Sequence, residues 1–262
     1  MDLEAAVAHL LADEDGMTVY FGCPDQVDGR DGKAALADFY GALLGWPRRD
    51  AWGTPFLSKD PKFRIGFDRD GWSDLRPPRW GDPEHPQQLH FDFAVPELAP
   101  ADERAAAAGA TLLHDEAGHR SYADPVGHAF CLYPDPRRAE AGPAVARLVY
   151  DCFSPRSLAT FYQAFLGVAD RLEDSPNRVV INLADDELPD LAFHQAQVPA
   201  PRWPDPAYPA QLHADYRFSV DHELPHFQTP AGRAAIQRAE QLGAIYLQHV
   251  VYADPAGHPF CF

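Results

Sequence analysis

The chain has 262 residues, 46% of them hydrophobic and 23% charged, with a formal net charge of −17. That composition supports a packed core and excludes fibrous and wholly disordered classes. The acidic balance opposes nucleic-acid and anionic-membrane partners, and no apolar run reaches the ~20 residues of a membrane span.

The first segment, MDLEAAVAHLLADEDG, lacks the basic and apolar regions of a secretory signal. Leu3, Val7, Leu10 and Leu11 instead share one face of an expected helix over residues 1–16. The expected setting is therefore cytoplasmic. Cys23, Cys131, Cys152 and Cys261 form no CxxC pair, so a zinc ribbon is not expected.

The rest of the chain contains itself twice. DFYGALLG from Asp38 returns as TFYQAFLG from Thr160. PRWGDPEHPQQLHFD from Pro78 returns as PRWPDPAYPAQLHAD from Pro201, and SYADPVGHAFCLYP from Ser121 as VYADPAGHPFCF from Val251. Three blocks in the same order mean a tandem duplication.

Each copy divides again. In the second copy RLVYDCF reads as a strand, and PRSLATFYQAFLG as a helix with Leu158, Phe161, Tyr162, Phe165 and Leu166 on one stripe. Gly167 supplies its left-handed stop. RVVINLA and LAFHQA follow as strands, and the order then repeats from QLHADYRFSV through PAGRAAIQRAEQLG to PFCF. The chain therefore holds four βαβββ modules, an α+β architecture. Consecutive modules are expected to pair into two curved eight-stranded sheets, each with helices outside and a concave pocket inside. The expected domains are 17–135 and 145–262, joined by a linker at 136–144.

The helical FY…LG, the QLHxD strand and ADPxGHxFC together resemble the vicinal oxygen chelate superfamily, in the tandem form of its glyoxalase-like, bleomycin-resistance-like branch. The resemblance covers about residues 17–262. It implies paired modules cupping a small-molecule site, with metal ligands in some members drawn from the first and last strands of each module. His90 and His213 match two such positions. Cys131 and Cys261 stand where Glu is usual, Phe67/Asp68 and Phe193/His194 occupy the leading modules' last strands, and Arg147 the first strand of the second copy. The usual ligand set is thus broken, and no cofactor or metal is expected.

Three readings of His90/Cys131 and His213/Cys261 remain: a buried thiol beside a pocket-wall imidazole, a zinc site with His194, or a Cys nucleophile with a His base. The first is preferred, because too few ligands and no orienting group are visible. Asp92 and Asp215 lie two residues past each His, on the same strand face, as a base or as salt-bridge partners. Arg79-Trp80 and Arg202-Trp203 form either an aromatic seal between modules or a lid stacking on a planar ligand. Asp124 and Asp254 read as turn formers, followed by partly exposed His128 and His258.

The expected function is binding of a small, partly aromatic or electrophilic molecule, for sequestration or metal-independent isomerase or lyase chemistry. A metal-dependent lyase, isomerase or dioxygenase is one alternative, and an interaction module with vestigial pockets another. The expected partner is a small-molecule ligand, with the chain as monomer or homodimer. The second cup is favoured, on the expectation that His194, His213, Asp215 and Cys261 converge there, while Asp68, His90, Asp92 and Cys131 form the first. If Phe67 and Phe193 point into the cups, strand alternation turns Asp68 and His194 away.

Overall fold

The computed structural model describes residues 16–69, 77–80, 82, 84–197, 201–203, 211–218 and 225–262. The helix expected over 1–16 lies outside them, apart from Gly16, which opens the first strand.

The first module comprises β1 (Gly16–Gly22), a small hairpin of β2 (Gln26–Val27) and β3 (Arg30–Asp31), helix α1 (Gly32–Leu44), β4 (Arg48–Ala51), β5 (Thr54–Leu57) and β6 (Phe63–Asp68). The second runs β7 (Leu89–Val95), α2 (Leu98–Ala108), β8 (Thr111–Glu116), β9 (His119–Ala123) and β10 (Ala129–Pro134). The third runs β11 (Ala144–Cys152), α3 (Pro155–Leu166), β12 (Arg171–Asp174), β13 (Arg178–Ile181) and β14 (Asp190–Gln195). The fourth runs β15 (Leu212–Arg217), α4 (Pro230–Gln241), β16 (Ile245–Gln248), β17 (Val251–Ala253) and β18 (Pro259–Cys261).

Local chemistry sets the helix limits. Asp31 accepts the Ala34 N–H at 3.0 Å to start α1, and Pro155 opens α3 where a missing N–H costs nothing. Gly167 ends α3 at φ 75°, a conformation a side chain would oppose. The buried face of α3 is Leu158, Ala159, Phe161, Tyr162 and Phe165, close to the stripe read from the sequence. No described helix is long and apolar enough to cross a membrane.

Two curved, eight-stranded mixed sheets result, but the two modules of each copy do not pair with one another. One sheet runs β16-β17-β18-β15-β1-β6-β5-β4, joining the first module to the fourth. The other runs β12-β13-β14-β11-β7-β10-β9-β8, joining the second to the third. At each centre two modules meet as antiparallel strands, β1 with β15 and β7 with β11. Connection length accounts for this. A short link from Pro134 to Ala144 keeps the second and third modules neighbours, as short connections do. The longer crossings, from Asp68 to Leu89 and from Gln195 to Leu212, carry the chain between sheets.

One aromatic core fills the space shared by the sheets and helices. Phe21 meets Phe91 at 5.5 Å across it, and the Tyr150 and Tyr216 hydroxyls lie 3.2 Å apart. Phe67 and Phe193 are fully buried there, against Tyr40 and Tyr162 at 5.9 and 5.4 Å. They are not cup residues, which corrects the expectation that they line a ligand site. Alternation along β6 and β14 then places Asp68 and His194 on the opposite, cup-facing side.

The ADPxGH turns are also deeper than expected. Asp124 accepts the Val126, Gly127 and His128 N–H groups with one oxygen, at 2.8–3.0 Å, the turn role the sequence indicated. Its other oxygen takes the Tyr40 hydroxyl at 3.1 Å and His128 Nδ1 at 2.9 Å. Tyr162, Asp254 and His258 repeat the arrangement, with both contacts at 3.1 Å. His128 and His258 are 0% and 1% exposed, not partly exposed. Each turn is pinned by the tyrosine of the preceding module's helix, so these motif residues tie one sheet to the other.

Candidate functional site

Each sheet builds one cup at its central strand pair. His90 and Asp92 on β7 and Cys131 on β10 come together in one, with ligand-type atoms all within 4.8 Å. His213, Asp215 and Cys261 do the same in the other. Because the modules pair across the duplication, His194 joins His90 rather than His213, and Asp68 lies in the sheet of His213. The grouping expected for the favoured second cup therefore does not form.

The β7/β11 cup opens into a cavity of 690 Å³. His90, Cys131, Val149 and His194 line it, with Trp80 and Arg79 on its border. The RW segment of the first crossing thus edges the cavity, as a lid reading requires. Arg79 lies 3.8 Å from Asp82, while the cation–π contact within the cup is Arg147 over Tyr133 at 5.0 Å. Arg202 is exposed and Trp203 half-buried in the second crossing, whose following residues lie outside the described set.

Asp92 is 1% exposed and held by two guanidiniums: Arg147 Nε donates to Oδ2 at 2.9 Å and Arg178 Nη2 at 3.3 Å. Its Oδ1 has no hydrogen-bond partner and lies 3.6 Å from His90 Nε2. Asp92 is therefore a structural anion behind the cup and not a free base.

The other side of His90 is more informative. Gln87 Nε2 lies 2.7 Å from His90 Nδ1 and 3.0 Å from Asp151 Oδ2. A side-chain amide nitrogen has two protons and no lone pair to share, so it donates to both. His90 Nδ1 is then an acceptor, and Nε2 carries the ring proton. Asp151 Oδ1 meanwhile takes His194 Nδ1 at 3.2 Å, which leaves His194 Nε2 as a lone pair in the neutral ring. One carboxylate thus fixes a proton-bearing imidazole nitrogen on His90 and a proton-accepting one on His194. The His194 side chain is 49% exposed, while Asp151 is nearly buried at 8%.

Cys131 Sγ lies 3.2 Å from Ser121 Oγ, and burial pushes its thiol up to about 12. Burial and Asp215 raise the Cys261 thiol further. Neither sulfur is a nucleophile near neutral pH. Sequence reading missed Gln87, Asp151 and Arg178. None has a counterpart in the other copy, so a search for repeated residues passes over them.

A family model described as a glyoxalase-like domain matches residues 26–133 and 147–262. The chain belongs to the glyoxalase-like domain family. No curated protein matches it significantly. Glyoxalase I from Zea mays shares the fold at a TM-score of 0.60 and 14% identity, covering 97% of this chain and 93% of that one. A putative dioxygenase from Bacillus subtilis aligns at a TM-score of 0.56 and 14% identity, over 94% of this chain and 82% of that one.

Metal-binding members of this superfamily make the donor set of this glyoxalase-like protein worth testing. In the β7/β11 cup His90 faces Val149 across the strand pair, and Val149 faces Ala192, so those register places carry no ligand, and the partner module's His194 lies outside the group of mutually close donors. Asp92 already carries two guanidiniums, which repel a cation. In the β1/β15 cup His213 faces Tyr20, and Tyr20 faces Gly66. Each cup gathers one imidazole, one carboxylate and one thiol within 4.8 Å, as many protein ligands as an open zinc site uses, but the set departs from the His and Glu ligands usual in the superfamily.

Proposed function

We propose that the β7/β11 cup binds a small, partly aromatic or electrophilic molecule and moves a proton within it, without a metal, as an isomerase or lyase does. The observation that carries this reading is the His194–Asp151–Gln87–His90 chain. His194 Nε2 is the base, oriented by Asp151 as a catalytic imidazole requires. His90 Nε2–H is the donor to a developing oxyanion, and Arg178 adds positive charge at the cavity wall. The ligand carries no full negative charge, because Asp151 and Glu116 also border the cavity.

The experiment is a thermal-shift screen of small carbonyl and aromatic compounds, with hits followed by proton NMR in D2O. Wild type should exchange a ligand C–H for deuterium, and His194→Asn should slow that exchange by at least about 100-fold while still binding. Binding without exchange in wild type reduces the reading to sequestration. Hits that protect a His90→Ala, His194→Ala double variant as well as wild type overturn the site itself.

A further inference from the structure

The duplicated cups share one strand register, so a residue in one marks a place in the other. His213 pairs with Tyr20 where His90 pairs with Val149. Tyr20 pairs with Gly66 where Val149 pairs with Ala192. Gly66 pairs with Phe56 where Ala192 pairs with Val180.

The contents of these matched places differ. In the β1/β15 cup the Tyr20 ring lies flat on the His213 imidazole, centroids 5.2 Å apart and planes at 13°. Phe56 meets the same ring edge-on at 5.9 Å. A Cβ at Gly66 would come within 2.6 Å of the Tyr20 ring carbons, so Gly66 is the recess that admits the ring. In the β7/β11 cup the matched positions hold Val149, Ala192 and Val180, a small buried apolar cluster without a ring. Val149 and His90 both border the 690 Å³ cavity.

We infer that the open cup takes an aromatic ring of phenol size, stacked on His90 above Val149 and Ala192, in the place that the chain's own Tyr20 fills on His213. This rests on the reading of the β7/β11 cup as a binding site and narrows its ligand to a class. An apolar floor and an imidazole face suit a flat ring better than a puckered one. The cavity exceeds one ring, so the ligand carries a further substituent toward His194 and Arg178, which border the same space.

The probe is p-cresol, the tyrosine side chain as a free molecule, followed by NMR at the histidine ring protons. In wild type p-cresol should move the His90 ring signals upfield, and 4-methylcyclohexanol, its saturated counterpart, should bind at least about tenfold more weakly. Val149→Tyr combined with Ala192→Gly copies the Tyr20 and Gly66 arrangement and should abolish the His90 response. Tyr20→Ala should create a second p-cresol response at His213, with a rise in melting temperature on adding p-cresol. Equal binding of the saturated compound, or a p-cresol response away from His90, overturns the inference; the wild-type comparison decides even where a variant fails to fold. If p-cresol leaves His90 unmoved while other compounds still depend on His90 and His194, only the ring assignment fails. If no compound depends on either, the site reading fails with it.

Discussion

Replacing Asp254 with Asn tests how the two sheets are tied. Asp254 accepts the Ala256 and His258 N–H groups, the Tyr162 hydroxyl and His258 Nδ1, all at 2.8–3.1 Å. His258 Nε2 lies 3.0 Å from the Asp151 carbonyl oxygen, which can only accept. Both ring nitrogens are therefore donors, and the ring is a buried imidazolium. Burial pulls its pKa down, but the Asp254 carboxylate and these hydrogen bonds outweigh it and raise it above 6.5. A raised folded value means the pair stabilises fully below pH 6.5 and loses that contribution as pH rises through the folded value. Asn keeps the shape and one acceptor oxygen but removes the charge. Leaving a buried ion without its partner costs about 3–5 kcal/mol, so Asp254→Asn should lose that much at pH 6. The deficit should shrink at alkaline pH, where neutral His258 can accept from the new amide. Urea unfolding of both proteins from pH 5.5 to 9, at unchanged slope, measures it. A deficit below about 1 kcal/mol at pH 6, or one that grows with pH, refutes the imidazolium assignment.

Two further outcomes follow from the cups and thiols. His90→Ala should weaken binding of any ligand found for the chain by at least about tenfold, and His213→Ala should change it little, because Tyr20 already lies on His213; titration of both folded variants decides, and a larger effect at His213 reverses the choice of cup. All four cysteines are free and buried, and burial holds Cys131 and Cys152 up to about 12. At pH 8 their thiolate fraction is on the order of one in ten thousand, so a disulfide reagent should titrate no thiol in the native protein and every cysteine in denaturant. One fast-reacting native thiol would contradict the closed packing around them.

The four modules were legible because helix stripes, turn residues and the FY and ADPxGH blocks are local signals that recur in the chain. Which modules share a sheet was not legible. The repeat suggests that neighbours within a copy pair, whereas the short link from Pro134 to Ala144 favours the second and third modules. That one difference relocates His194 and reverses the choice of cup. Repetition also misdirected attention toward shared residues. Asp124, His128 and Tyr40 repeat because both turns need the same anchor, which is a packing requirement.

The site is written in the departures from the repeat. Asp151 stands at the register place of Gly22, Val149 at that of Tyr20 and Ala192 at that of Gly66. Each change at the floor removes a ring or leaves only a small side chain, and Asp151 adds a carboxylate at the edge. A duplicated chain can support such divergence because both sheets bury their opposite faces in one core. Packing Tyr20 against Phe56 in one cup adds apolar burial that Val149, Ala192 and Val180 do not match in the other, while both retain buried polar atoms without hydrogen bonds, Gln87 Oε1 and Asp92 Oδ1 in one and Gln211 Oε1 and Asp215 Oδ1 in the other. Unpartnered buried polar atoms cost stability wherever they occur. A cup filled by its own ring, sharing its core with one that lacks the ring, offsets that cost within a single folding unit. The asymmetry between the cups is therefore a physical reason to look for ligand at His90 and for stability at Tyr20.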